Sequence, residues 1–343
     1  MESHAAFVAP RWTLEALQQH LQAAVDLELW TIPFYMSVLY SLQDPSDEAF
    51  ALILSVVNQE MLHLQSAANV SNAYGLEVTI TPPQYVGTQI PHLDFALDHP
   101  NPADPVTGEF YPYTAEIGPL DREHANAMCL IEYPRWGDHQ RRKALAQLRP
   151  TVQEYGSIGE FYAALQLGMR ELASHLRGGK NQIGMFTRNY QGAAPSRSQF
   201  VVTHDGEQGL KEALALVEMI TTQGEGDARD ERDIPTMYQN TADDSAPNLA
   251  HFEKFESVRE RVFGNPEKAP RIYHGEAHPP EGSPGRRAQD TLVKDFAVLC
   301  DRLQIMFRTG VTPEDFGPVM FKVGAGLTNC WKNDAIPRFS KEH

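Results

Sequence analysis

Residues 58–64 read NQEMLHL, and in them a carboxylate and an imidazole, Glu60 and His63, stand three apart inside an otherwise apolar segment. The surrounding periodicity is helical: Phe50, Ile53, Val57, Glu60, Leu64, Ala67 and Ser71 follow one another at steps of three or four, the spacing of a core-facing seam. Glu60 sits in that seam. His63, nearly one turn on, projects from the same side, so both side chains can reach one ion. Upstream lies a second seam, Leu14, Leu17, Leu21, Val25, Glu28, Ile32, Tyr35 and Leu39, again with a carboxylate in its middle. Thr13 is placed as its N-cap, and Trp12 and Leu17 as a hydrophobic staple. Pro33 removes a backbone hydrogen bond, so a kink or loosened turn is expected one turn past Glu28. The connection at 43–47 is short, with Ser46 or Asp47 as the next N-cap. The two helices therefore form an antiparallel pair, with Glu28 facing Glu60 and His63 across their interface.

Beyond this pair the pattern loosens. Residues 82–118 carry eight prolines up to the adjoining Pro119, the mark of a long crossover or an insertion over the bundle. Short helices are expected at 120–133 and 141–148. A third bundle helix is expected from Ser157 to about Leu176, with Glu160 in its first turn; Ser157 and Glu160 also satisfy a capping box. The fourth is split: 207–222 is helical, QGEG at 223–226 stops it, and after a polar loop a new helix carries Asn248, His251, Phe255, Val258 and Val262 up to Gly264. Residues 265–287 read as a Pro/Gly-rich linker or lid. Two more helices follow, one over 289–307 and one opening at Thr312 and Pro313. The reading is all-α, divided into a bundle with loop insertions at 1–264, the linker or lid at 265–287, and C-terminal helices packing on the bundle at 288–343.

The chain of 343 residues has 29 basic and 45 acidic side chains, a formal charge of -16, which argues against nucleic acid as the partner. Cys129, Cys300 and Cys330 are too few and too scattered for a disulfide framework or a cysteine zinc site. The opening MESHAAFVAPRW lacks the pattern of a signal peptide, and no apolar run approaches the roughly 18 residues of a membrane span. A cytoplasmic protein with no membrane partner is expected.

A four-helix carboxylate bundle holds a pair of iron or manganese ions with one Glu from each of two helices and a Glu-x-x-His pair from each of the others. The candidate metal ligands here are Glu28, Glu60, His63, Glu160 and His251. One Glu-x-x-His is weak by itself. Its weight grows because Glu28 and Glu60 both interrupt apolar seams with no basic partner nearby, and an uncompensated buried carboxylate costs several kcal/mol. Glu160 is equally well explained as a cap, and His251 as a hydrogen-bonded core histidine. Glu218, Glu225 and Glu253 are held in reserve, being more often solvated or capping residues. Trp30, Tyr35, Phe161 and Tyr162 are candidates to wall an aromatic substrate, although such residues in a bundle are more often plain packing. No catalytic residue can be named from the sequence.

The runs AVDLELWTIPFYMSVLYSL and LILSVVNQEMLHLQSAANVSNAYG, with YGSIGEFYAAL at 155–165, ITTQGEGD at 220–227 and NLAHFEKF at 248–255, resemble the ferritin-like domain of the iminophenyl-pyruvate dimer synthases, the group of chromopyrrolate synthase and its violacein-pathway relative. The resemblance implies a ferritin-like four-helix bundle with a long crossover, loop insertions and extra C-terminal helices. It also implies oxidative chemistry on amino-acid-derived imines in secondary metabolism, with iron, in some members haem, as cofactor. Members often carry Glu-Leu-Ala-His where this chain has Asn248-Leu-Ala-His251. A neutral Asn binds a cation more weakly than a carboxylate, so a second ion is expected to bind weakly or not at all, with Asn248 as an additional or supporting ligand at most.

The function expected is a metal-dependent oxidoreductase acting on a small imine or aromatic substrate under the loops at 82–118 and 223–246. Iron is the expected metal, one or two ions, with another divalent transition metal and haem left open; bundles of this kind often form homodimers. Two alternatives stand beside it: a metal-binding or structural bundle without turnover, and a metal-independent coupling or cyclisation scaffold.

Overall fold

The computed structural model describes residues 11–97, 101–103, 107–133, 152, 154–187, 200–225, 234–240, 244–264 and 269–341. Among the described residues eight α-helices carry the fold, with isolated β-bridges but no strand. They are α1 (Leu14–Ser41), α2 (Glu48–Ala73), α3 (Arg122–Ile131), α4 (Ile158–Glu171), α5 (Gly206–Glu225), α6 (His251–Phe263), α7 (Pro284–Thr309) and α8 (Phe316–Lys332).

The two seams form the centre. Thr13 caps α1 by accepting the Ala16 amide, and Asp47 caps α2 by accepting that of Ala49. The helix α1 runs through Pro33 without interruption. Both helices are buried on nearly every side: Leu17, Leu21, Val25, Trp30, Phe34 and Leu39 of α1 and Ile53, Val56, Leu62 and Leu64 of α2 are inaccessible. Each such side chain stabilises the fold by roughly 1.5–3 kcal/mol. This is why their seams are wide.

The other two columns of the bundle are each made of two short helices. α3 lies beside the C-terminal half of α1, where the His124 ring stacks on Phe34 and Ser37 donates to the Gly118 carbonyl. α4 lies beside the N-terminal half, where Phe161 stacks on His20 and Gly168 is pressed against the Trp12 ring so closely that a Cβ would clash. On the opposite side α5 reaches α2 through Gln223 and His63, and α6 through Lys254 and Ser55 and through Arg261 and Asp47. α3 packs against α6 and α4 against α5. The third column is therefore α3 followed by α4, and the fourth is α5 followed by α6, the two antiparallel to each other. The long crossover lets the third column run in the same direction as α2.

This assigns Leu120 to Tyr133, expected as an added short helix, to the bundle itself. Its helix opens at Arg122 because Asp121 accepts the His124 amide. The helix expected at 141–148 lies outside the described residues. The C-terminal pair α7 and α8 covers the far side of α1, with the Trp331 indole donating to the Ser37 carbonyl. α8 opens at Phe316, later than Thr312 and Pro313. Residues 271–276 bond to the chain at Ser41 and Gln43 and to Asp334 and Ile336. No helix of the described residues is long and apolar enough to cross a membrane.

Candidate metal centre

The site lies at the two breaks. Glu132 is the C-cap of α3, Tyr162 falls in the second turn of α4, Gln223 in the last turn of α5, and His251 is the first residue of α6. The middles of α1 and α2 bring Glu28, Glu60 and His63 to the same level. All of these ionisable side chains are buried.

Glu60 is the hub. Its Oε1 is 3.0 Å from His251 Nδ1 and 3.5 Å from His63 Nδ1. Glu28 Oε2 lies 3.6 Å from His63 Nδ1, and Glu132 Oε2 lies 3.5 Å from His251 Nδ1. Two carboxylate–imidazole pairs thus flank one shared carboxylate, with the imidazoles stacked at 5.2 Å between centroids.

Each carboxylate has one oxygen occupied and one turned inward. Thr31 donates to Glu60 Oε2 at 2.6 Å, Tyr35 to Glu132 Oε1 at 2.6 Å, and Tyr162 to Glu28 Oε1. The outer nitrogens of the imidazoles are similarly engaged. His63 Nε2 lies 2.8 Å from Gln223 Oε1, and His251 Nε2 lies 2.6 Å from Gln59 Oε1. An amide oxygen only accepts, so each Nε2 carries hydrogen and, in the neutral ring, each Nδ1 carries a lone pair. Five donor atoms then face one another: Glu28 Oε2, Glu60 Oε1, Glu132 Oε2, His63 Nδ1 and His251 Nδ1.

Such an arrangement of acceptors suits a cation. Glu60 Oε1 and His251 Nδ1 are buried with no hydrogen-bond partner despite their 3.0 Å approach. Buried polar atoms are nearly always satisfied, and an ion at this position would satisfy both. Glu60, His63 and His251 present ligand atoms all within 4.8 Å of one another, close enough to hold a metal ion. Beside them Glu28, Glu60, His63, Glu132 and Tyr162, with the approach residues Ile158, Ile220, Thr221 and Gly224, line a space of about 10 Å³, room for one water-sized species. The donor set of carboxylate oxygens and imidazole nitrogens suits a divalent first-row transition metal.

Electrostatics agree. Burial raises the Glu28 carboxyl to about 7, and neighbouring Glu60 adds to the effect against the pull of His63. Burial also opposes the charge on Glu60, but His63 and His251 outweigh it and hold that carboxyl below its usual range. Burial alone would discharge both imidazoles; the facing carboxylates, Glu60 and Glu28 for His63 and Glu132 and Glu60 for His251, raise them instead. Without metal, protons on the imidazoles balance the carboxylates, and metal binding must displace them. Tyr35 and Tyr162 are held protonated, first by burial and then by the carboxylates they bond, so both remain donors.

Of the sequence-derived ligand candidates, Glu28, Glu60, His63 and His251 meet here. Glu160 is buried nearby but its Oε2 accepts the Gly156 amide at 2.9 Å while its own amide bonds Ser157 Oγ: it caps α4. Asn248 lies in a turn before α6, so the shared helical face that would have aligned it with His251 does not exist; its carbonyl accepts the Ile234 amide. Glu253 caps α6 through the Ala250 amide, and Glu218 is exposed on α5. The Glu225 side chain lies outside the described residues. Tyr35 and Tyr162 reach the site as carboxylate-holding donors, whereas Trp30 stacks on Phe34 and bonds the Gln84 carbonyl, and Phe161 packs on His20. Among the described residues none of 82–118 lines the cavity, and of the loops expected to roof it only Gly224 does.

Glu132 went unrecognised in the sequence. Its one local signal is an acid closing an apolar run, Met128–Cys129–Leu130–Ile131, rather than the interrupted seam that marks Glu28 and Glu60. Gly224 of QGEG also acquires a reason, since a Cβ there would stand 3.0 Å from Glu132 Oε2.

A family model described as ferritin-like matches residues 21–260. A ferritin-like protein from Caulobacter vibrioides, known from a crystal structure at 1.95 Å resolution, is 43% identical, with 96% of this chain and 100% of that one covered and a TM-score of 0.79. No curated protein matches the chain.

Proposed function

As the chain belongs to the ferritin-like family and five buried donors converge at its centre, we propose that it is a metal-dependent oxidoreductase, with Glu28, Glu60, His63, Glu132 and His251 holding iron. The observation that carries this reading is the unpartnered pair of acceptors, Glu60 Oε1 and His251 Nδ1, both buried, with Glu60 also lining a gap of about 10 Å³. Iron bound there supplies one-electron chemistry and Lewis acidity.

The chain's own residues set the conditions for that chemistry. Thr31, Tyr35 and Tyr162 fix the rotation of the three carboxylates and direct one oxygen of each inward. Gln59 and Gln223 do the same for the imidazoles. Ile158 and Ile220 keep the approach apolar, excluding bulk water from the donors, and Thr221 is the hydroxyl on that path. The gap between the donors fits an ion and is far too small for a porphyrin.

For the substrate, the blocks shared with iminophenyl-pyruvate dimer synthases support a small imine derived from an aromatic amino acid, in secondary metabolism. It would approach from the α4–α5 side, where the cavity lining leaves the metal donors. The test is turnover by protein loaded anaerobically with Fe(II), then given oxygen and the imines formed by oxidising aromatic amino acids. Substrate consumption by wild type and none by Glu60→Ala is the expected result. Equal consumption by Glu60→Ala, or by chelated protein, overturns the reading.

A further inference from the structure

Behind His251 stands a fully buried ion pair that neither the fold nor the metal donors require. Lys254 Nζ lies 2.5 Å from Asp244 Oδ2, and both side chains are wholly inaccessible. Lys254 also donates to Ser55 Oγ at 3.0 Å. Desolvating two charges costs several kcal/mol each, and such pairs are often no more stable than the apolar residues that could replace them. The pair therefore calls for a role besides stability.

Besides Lys254 and the Ala246 amide, which donates to its Oδ1 at 2.9 Å, Asp244 has a further contact that supplies one. Asp244 Oδ2 accepts from Gln59 Nε2 at 3.3 Å, and Gln59 Oε1 in turn lies 2.6 Å from His251 Nε2. An amide side chain can be turned over to exchange its oxygen and nitrogen with little change of shape. In the observed orientation Gln59 accepts from Nε2–H and the His251 lone pair sits on Nδ1, facing Glu60 Oε1. In the reversed orientation Gln59 donates to Nε2, the proton moves to Nδ1, and the nitrogen nearest Glu60 can no longer bind a metal. A carboxylate at 244 accepts only, so it permits the first orientation and rejects the second. Lys254 Nζ, 2.5 Å from that carboxylate, holds its Oδ2 in place as an acceptor.

We propose that Asp244 and Lys254 are positioning residues that lock Gln59, and through it His251, in the metal-receiving tautomer. The same segment between α5 and α6 orients the other histidine by a simpler route: the Tyr238 carbonyl accepts from Gln223 Nε2 at 2.6 Å, which turns Gln223 Oε1 to His63 Nε2. One connection thus sets both imidazoles, by a main-chain acceptor at His63 and by a buried ion pair at His251.

The proposal rests on the metal reading above, and the test separates the two. Full-length wild type, Asp244→Asn, and the double variant Asp244→Asn with Gln59→Glu are titrated with Zn(II). Histidine 15N spectra of the zinc-loaded proteins report which ring nitrogen is bound. Asn at 244 can donate and so admits the reversed Gln59; glutamate at 59 can only accept, and restores the demand for Nε2–H. The single variant is expected to lose about tenfold or more in affinity, the scale of a lost support behind a ligand. Its His251 should lose the metal-bound Nδ1 signal while that of His63 persists, and the double variant should recover wild-type affinity to within about threefold. Wild-type binding by Asp244→Asn, or a folded double variant as weak as the single one, overturns the proposal while the metal reading stands. Wild-type protein that takes up no zinc overturns both.

Discussion

The central pair α1 and α2 and the outer columns α3–α4 and α5–α6 do the same structural job in different ways. α1 and α2 are unbroken helices of 28 and 26 residues, apolar on almost every face, and they place their ligands mid-helix. The outer columns are each interrupted, and they place their ligands at helix ends, Glu132 at the close of α3 and His251 at the start of α6. A ligand in the middle of a long buried helix is positioned by packing along its whole length. A ligand at a helix end has less helix around it and leans on the central pair, through Tyr35 of α1 behind Glu132 and Gln59 of α2 behind His251. The breaks also leave room for the approach lined by Ile158, Ile220, Thr221 and Gly224. Continuity makes the scaffold, and interruption makes the access.

The largest effect that tests this division is expected from the shared donor. Glu60→Ala should abolish tight metal binding, because its Oε1 faces both imidazoles, while far-ultraviolet circular dichroism stays close to wild type, since packing of the apolar faces carries the helices. Collapse of helicity with metal still bound would show that Glu60 serves the scaffold instead.

Next comes the equivalence of the two halves. Glu28→Ala and Glu132→Ala should each weaken metal binding, by about tenfold or more as when a support behind a ligand is removed, measured by competition with a chromophoric chelator. Glu160→Gln should leave it unchanged and cost little stability, because the amide oxygen can still accept the Gly156 amide. Should Glu160→Gln lose metal and Glu132→Ala keep it, the third column has been assigned to the wrong acid.

This pair of variants also marks how far the sequence can be read. Glu28, Glu60 and His63 were legible because long regular seams make an intruding charge conspicuous, and these seams come from helices buried all round. Glu132 was hidden because α3 is only ten residues long and its acid falls at the C-cap, where no period can be counted. His251 was found, but its presumed partner Asn248 was placed on a helix that starts three residues later. Glu160 shows the reverse error: a carboxylate with a sufficient local reason was also given a distant one. The hydroxyls and amides behind the ligands were beyond reach, since Thr31–Glu60 and Gln59–Asp244 are contacts between elements that no local pattern records.

A smaller effect is expected at Gly224. In Gly224→Ala the new methyl would press on Glu132 Oε2 at 3.0 Å, and metal affinity should fall a few-fold with little loss of stability. An unchanged affinity would mean that Glu132 has freedom the outer column is argued not to give it.

The smallest effect concerns the N-terminus of α3, which sets the distance to Glu132. Burial opposes the charge of Asp121, but its hydrogen bonds with the His124 side chain and amide outweigh this and hold its pKa below the usual value. A depressed carboxyl stabilises the folded state above its unfolded pKa of about 4 and loses that contribution as the pH falls through the lower folded value. Asp121→Ala should thus cost about 1 kcal/mol in denaturant unfolding at pH 7. The gap between the two proteins should narrow from about pH 4 downward. A gap that stays constant into acid would assign the loss to packing.

The claim that interruptions of the outer columns complete a metal site is tested most directly by anomalous diffraction from crystals grown or soaked with Fe(II). The account predicts an anomalous peak within about 2.0–2.3 Å of Glu60 Oε1 and of at least one histidine Nδ1, with Glu132 or His251 among its ligands. A peak held by α1 and α2 alone, or none at saturating metal, would contradict it.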